Sequence, residues 1–382
     1  MTTFLDQPHY TGKGKQSDSS KWQKLPSFNP EALTHPQHYL APKGLVAAVN
    51  VALELGMPLL LTGEPGCGKS QLAYSLAWEL GFPTGPLSFT VKSDTQSKDL
   101  FYHFDTLGRF RAARIEGEEA DARRYLRFEA LGLAILKALG REAIEKLKLI
   151  GCIENPPEQP ERSVVLIDEI DKAPREIPND ILNEIDRMSF DIPEIFQAGK
   201  ARTVVSLDSK QTTSNNQEPA NGSLRPIVII TSNRERELPE AFLRRCVYYH
   251  LDLPPFRRKL AEDRSKGLDT DNDVTIERIV EERLKITIPL EDNKKNLQKS
   301  LWAAAISLFD YLRSEVQLQK RPSTAELLNW MQWLQKRGGS AAITLQDLDW
   351  QDRFSNSAYV TLFKHKEDQD RAKQHIDDWL LR

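Results

Sequence analysis

Between about residue 36 and Pro254, short unbroken apolar runs alternate with stretches of helical spacing. The runs are LLLT (59–62), PLSFTV (86–91), SVVLIDEID (163–171), RPIVIITSN (225–233) and CVYYHLDL (246–253). Near-continuous Val/Ile/Leu segments bounded by turn residues suit strands covered on both faces, and their alternation with helices predicts a parallel sheet in an α/β domain. Past Pro254-Pro255 the period changes. TIERIVEERL, then NLQKSLWAAAISLFDYL with Leu297, Leu301, Ala304, Leu308 and Leu312 on one stripe, then STAELLNWMQWLQKRG predict an all-α domain over 255–382. The last of these helices has a capping-box pair, Ser323 and Glu326, and a stop at Gly338. Residues 1–35 are polar and predict a flexible tail, leaving 36–254 as the α/β domain. A chain of 382 residues exceeds the ~250 at which one core stops growing, so two cores are expected.

Two segments interrupt the alternation. Residues 109–160 include DARRYLRFEALGLAILKALGREAIEKLKLIG, apolar at helical spacing, which predicts one or two inserted helices. Residues 192–224 couple a plausible strand pair to a Ser/Thr/Asn/Gln-rich stretch and predict a projecting hairpin with that stretch at its tip.

Composition narrows the chemistry only a little. The formal net charge is -3 with 28% charged residues, so no basic field draws in nucleic acid. Three cysteines, Cys67, Cys152 and Cys246, lie far apart without a C-x-x-C pair, which fits a reducing, cytoplasmic compartment. None of the seven histidines belongs to a zinc-type cluster. The longest apolar run, LVAAVNVALELGMPLLL, is broken by Asn50, Glu54 and Pro58, so no membrane span is expected.

The strongest local pattern is GEPGCGKS (63–70), placed between an apolar strand and the helix KSQLAYSLAWELG. It fits G-x-x-x-x-G-K-[ST] in the context that motif requires. Gly63, Gly66 and Gly68 let backbone N–H groups turn toward phosphate oxygens, with Glu64, Pro65, Cys67 and Gln71 completing the loop and first turn. Lys69 is placed to reach the β- and γ-phosphates of ATP, and the Ser70 hydroxyl to take a Mg²⁺ position. About a hundred residues on, VVLIDEID sets Asp168 and Glu169 where a strand ends. Asp168 suits the Mg²⁺ shell and Glu169 the polarising of an attacking water, a second acid that a kinase or GTPase switch does not need. Asn233, ending PIVIITSN, offers a neutral amide to the lytic water or γ-phosphate, and Arg244 and Arg245 stand where an arginine finger would.

In that order, GEPGCGKS, VVLIDEIDKAP, IITSN and LPEAFLRRC resemble an AAA+ ATPase, and NVALELGMPLLLTGEPGCGKS resembles the MoxR-like branch. The resemblance runs from about Tyr39 to the C-terminus. It implies a five-stranded parallel sheet of order 5-1-4-3-2, a helical lid, and a ring, usually hexameric, with each ATP site shared between neighbours, so that Arg244 or Arg245 serves the adjacent subunit. It also implies a protein client and a partner with a von Willebrand factor A domain. HYLAPKGLV (38–46) resembles the segment lining the adenine pocket, and Phe101, Tyr102 and Phe104 are either client-gripping aromatics or packing residues. In the lid motif RPSTAELLNW, Ala325 stands where the family carries an arginine that reaches the γ-phosphate, and Arg321 is the candidate substitute. The competing reading is a nucleic-acid motor, a McrB-like or helicase-type ring, which the net charge and the Asn/Ser/Gln-rich hairpin tip disfavour.

Overall fold

The computed structural model describes residues 31–116, 121–195, 203–207, 224–265, 274–291 and 294–382. Residues 1–30 of the expected tail and most of the polar stretch of the expected hairpin, 208–223, lie outside them. The chain divides into two compact units. One comprises Lys43–Gly63 and Lys69–Leu251; the other gathers Met1–Pro42, described from residue 31, with Glu64–Gly68 and Asp252–Arg382.

The first unit is built on a five-stranded sheet of β1 (Leu59–Gly63), β2 (Leu87–Thr90), β5 (Val164–Asp168), β8 (Ile227–Ser232) and β9 (Val247–Leu251), in the order β2-β5-β8-β1-β9. Every pairing is parallel, so among these five core strands the order is 5-1-4-3-2 read from the β9 edge. The three central strands carry the apolar runs for the expected reason: Leu59, Leu60, Leu61, Val165, Ile167 and Ile230 are fully buried. A two-stranded antiparallel ribbon, β3 (Tyr102–Phe104) with β4 (Leu126–Phe128), opens the inserted region, followed by the helices Ala130–Leu139 and Arg141–Lys146. The helix Ala130–Leu139 packs on β2 and β5, and Gly132 permits its approach, since a Cβ there would stand 2.0 Å from the Phe101 carbonyl oxygen. Phe101 and Tyr102 are each 2% exposed and stack on Phe190, so of the two readings of these aromatics packing holds for both.

The strand pair before the fourth core strand is present, as β6 (Ser189–Asp191) against β7 (Val204–Ser206), but it begins earlier than the pattern indicated. Residues 192–203 join the two strands, and of these 196–202 lie outside the described residues, as does the polar stretch 208–223 that follows β7 in sequence. The register explains the shift, because Phe190 and Val205 face each other as buried apolar partners and close the ladder there.

Helices dominate Asp252–Arg382, with Ile276–Leu284, Leu301–Ser314, Thr324–Lys336, Leu348–Leu362 and Lys366–Leu380 around one apolar cluster. Trp302, Trp330, Trp379, Phe309 and Phe354 are buried in it, and the Trp330 indole N–H donates to Ser357 Oγ at 2.9 Å. The stripe beginning at Leu297 does not lie on one helix, because Ser300 caps Leu301–Ser314 by accepting from Ala303 N and so starts it four residues later. The Ser323–Glu326 capping box forms as its spacing predicts. Among the described residues no helix is long and apolar enough to cross a membrane.

Candidate functional site

Strand ends make the site. β1 runs into Gly63, and the helix Lys69–Glu79 starts after the loop; Gly63, Gly66 and Gly68 hold φ of 151°, 78° and 95°. Side-chain residues resist such angles, so the glycine spacing is what lets the amides turn inward. Lys69 is 6% exposed, and its ammonium donates to Gly63 O at 2.9 Å. Ser70 Oγ donates to Asp168 Oδ1 at 2.7 Å. The hydroxyl and carboxylate expected to share a cation therefore meet, although 98 residues separate them in sequence.

Glu169 directly follows β5 in the left-handed conformation, φ 61°. Its Oε1 accepts from Asn233 Nδ2 at 3.3 Å, and its Oε2 accepts from Lys172 Nζ at 2.6 Å. That bond to Glu169 raises the Lys172 pKa above its ordinary value. Thr231, 1% exposed, donates from Oγ1 to Asp168 Oδ1 at 2.5 Å and accepts from Glu169 N at 3.0 Å. Asp171, 2% exposed, accepts the backbone N–H groups of Asn233, at 3.1 and 3.3 Å, and of Glu235, at 2.9 Å.

The two arginines near the end of the short helix Glu240–Leu243 differ. Both are exposed, but Arg245 Nε lies 3.2 Å from Asp186 Oδ2, whereas Arg244 has no ion pair among the described residues.

In the other unit, the loop residues Glu64–Gly68 keep their own company. Glu64 Oε2 accepts from Arg313 at 2.9 Å, and that guanidinium, 9% exposed, also donates to Pro322 O at 2.5 Å. Ser323 Oγ stands 2.5 Å and Ala325 Cβ 3.4 Å from where a Gly66 Cβ would be, so this loop position admits no side chain. Tyr39 lies 3.4 Å from the corresponding point on Gly68, and His38 Nδ1 pairs with Glu282 Oε1 at 2.8 Å. Arg321 is exposed, with no hydrogen bond or ion pair among the described residues. Arg313 is the buried guanidinium on the loop. Sequence spacing missed it because it belongs to the preceding helix.

Oxygen donors from Ser70 and Asp168 at this separation fit a hard divalent cation such as Mg²⁺, and the glycine angles with Lys69 fit a phosphate chain. Among the described residues no group of three or more His, Cys, Asp and Glu side chains is placed to hold a metal ion.

Residues 58–246 match the family model described as AAA domain (dynein-related subfamily). Two similar solved structures are domain III of the Thermotoga maritima replication initiation protein DnaA and the FIGL-1 AAA domain in complex with ADP. The first is 13% identical, with a TM-score of 0.36, over 89% of this chain and 100% of that chain. The second is 14% identical, with a TM-score of 0.37, over 88% of each. No curated protein matches the chain.

Proposed function

We propose that the AAA domain of residues 58–246 binds Mg²⁺ and ATP and hydrolyses the nucleotide, in the manner of the MoxR-like branch of AAA+ proteins, to remodel or activate a protein client. The observation that carries this reading is the meeting of Ser70, Asp168, Glu169 and Asn233 at the carboxyl ends of adjacent parallel strands, where open α/β sheets bind ligands. A bound Mg²⁺ would offset charge on the phosphates. The chain's own groups do the rest. The loop amides between Gly63 and Ser70 orient the phosphates, and Lys69 donates to the terminal ones. Glu169 Oε1, already within reach of a neutral amide, accepts a proton from the attacking water, and Asn233 keeps that carboxylate and the water in line. Arg244 supplies positive charge to the site of an adjacent subunit in a ring, taken here as a hexamer. A cytoplasmic setting and a partner with a von Willebrand factor A domain complete the proposal.

Turnover of ATP by the purified chain, with and without Mg²⁺, is the direct test. Glu169→Gln is expected to bind ATP and assemble while losing about 10²-fold or more of turnover, and full turnover in it would remove Glu169 from the mechanism. The nucleotide-locked variant is also the bait for the client. Tight, salt-sensitive DNA binding would replace this reading with that of a nucleic-acid motor.

A further inference from the structure

The backbone ladder between β5 and β8 ends at Ile167 paired with Ile230, one residue before the acids of the proposed site. On this side, Asp168 and Glu169 are tied to the β8 segment by side chains. Thr231 spends its single hydroxyl proton on Asp168 Oδ1 and a lone pair on the Glu169 N–H, so one buried group fixes both acids. Asp171 makes the reciprocal connection, its carboxylate holding the N–H groups of Asn233 and Glu235. Bonds thus run both ways, from the β8 segment to the backbone of Glu169 and from the β5 segment to the backbone of Asn233. Glu169 and Arg234 both stand at φ 61°, an angle that residues other than glycine keep only where their surroundings impose it. The braces lie beside those two angles, next to the Glu169–Asn233 contact at 3.3 Å.

We infer that Thr231 and Asp171 are positioning residues, a two-point brace that holds the Glu169 carboxylate against the Asn233 amide in the geometry for water attack. The inference rests on the ATP-hydrolysing reading. Purely structural bonds would support stability and nucleotide affinity alike; a positioning brace acts on the chemical step.

Thr231→Val keeps the shape and deletes the hydroxyl, leaving the Glu169 N–H without its acceptor; Thr231→Ser restores it. In the full chain, turnover number and KM for ATP are measured together with hydrogen exchange at the Glu169 amide in nucleotide-free protein. Thr231→Val is expected to lower kcat by about 10- to 100-fold with KM within about twofold, and to speed exchange at Glu169 by at least about tenfold. Thr231→Ser is expected to stay within about threefold of the parent on all three. Asp171→Asn, which keeps one acceptor oxygen, is expected to lower kcat by about 3- to 10-fold relative to the parent, again at constant KM, and this loss stands in should the valine variant fold poorly. The brace is overturned by a valine variant with parental kcat and exchange, by a rise in KM that accounts for the whole loss, or by a serine variant as damaged as the valine one. A parent chain without Mg²⁺-dependent turnover would sink the ATPase reading instead, while exchange at Glu169 would still decide whether the brace exists.

Discussion

Glu169 faces two nitrogens of different character, the Asn233 amide at 3.3 Å and the Lys172 ammonium at 2.6 Å. The shorter, charge-assisted bond is the stronger restraint, but both partners of that pair are partly exposed, at 41% and 28%, so solvent weakens it. Lys172 therefore acts as a light hold on the proposed base. Lys172→Met is expected to leave the melting temperature unchanged and to raise basal ATP turnover by about two- to fivefold at constant KM, the size of effect that releasing an exposed pair allows; steady-state kinetics decide it, and a fall in kcat would mean that the ammonium aids the reaction. Cysteine chemistry gives a second check at this scale. Burial pushes the Cys246 thiol up to about 12, with Asp186 adding to the shift, so very little thiolate exists at pH 8. Iodoacetamide at that pH is expected to leave Cys246 unmodified in folded protein and to modify it in urea, read by peptide mass. The acids and the amide were legible in VVLIDEID and IITSN because their chemistry marks them. Thr231, Asp171 and Lys172 stood in the same quoted stretches, yet spacing alone does not say which hydroxyl crosses between strands and which lysine folds back three residues.

Elements were legible where an apolar run or a helical stripe was unbroken. The five core strands stood out as continuous apolar runs and the helices over residues 276–336 by their stripes, whereas the 15-residue helices Leu348–Leu362 and Lys366–Leu380 were legible only as part of an all-α region, and β3 and β4, three residues each, show too little alternation to register. Ser300 was hidden for a different reason: the apolar stripe continued through it, and only its hydroxyl bonded to Ala303 N shows where the helix begins. Gly132 illustrates an element whose placement depends on a missing side chain. The Phe101 carbonyl accepts Glu129 N at 2.9 Å at the start of the helix Ala130–Leu139, and the same carbonyl carbon would lie 2.8 Å from a Gly132 Cβ. Gly132→Ala gains about 0.5–1 kcal/mol of helix propensity but forces backbone to move. The net expectation is a loss of about 1–3 kcal/mol, the range for an overpacked site, measured by thermal unfolding; a variant as stable as the parent would show that the ribbon β3–β4 yields freely.

At the scale of the whole molecule, the proposed ring raises the question of which arginine would serve a neighbouring subunit. Arg245 is paired with Asp186 of its own chain, while Arg244 keeps its guanidinium outward without an ion pair among the described residues. A finger must leave its own subunit to neutralise charge elsewhere, and a guanidinium already paired at home would first have to break that contact. Arg244→Ala is accordingly expected to lower turnover by about 10³-fold, the lower end of what an arginine finger supplies, while Arg245→Ala loses far less. Subunit mixing then separates action in trans from a local fault. Lys69→Ala subunits have a dead loop but an intact Arg244, and Arg244→Ala subunits have the reverse. In a ring with one repeated head-to-tail interface, a random equal mixture places an intact loop beside an intact finger at about one site in four. Recovery to about a quarter of parental turnover, measured after exchange of subunits, is the expected result. Mixtures as inactive as either variant alone would mean that Arg244 works within its own chain.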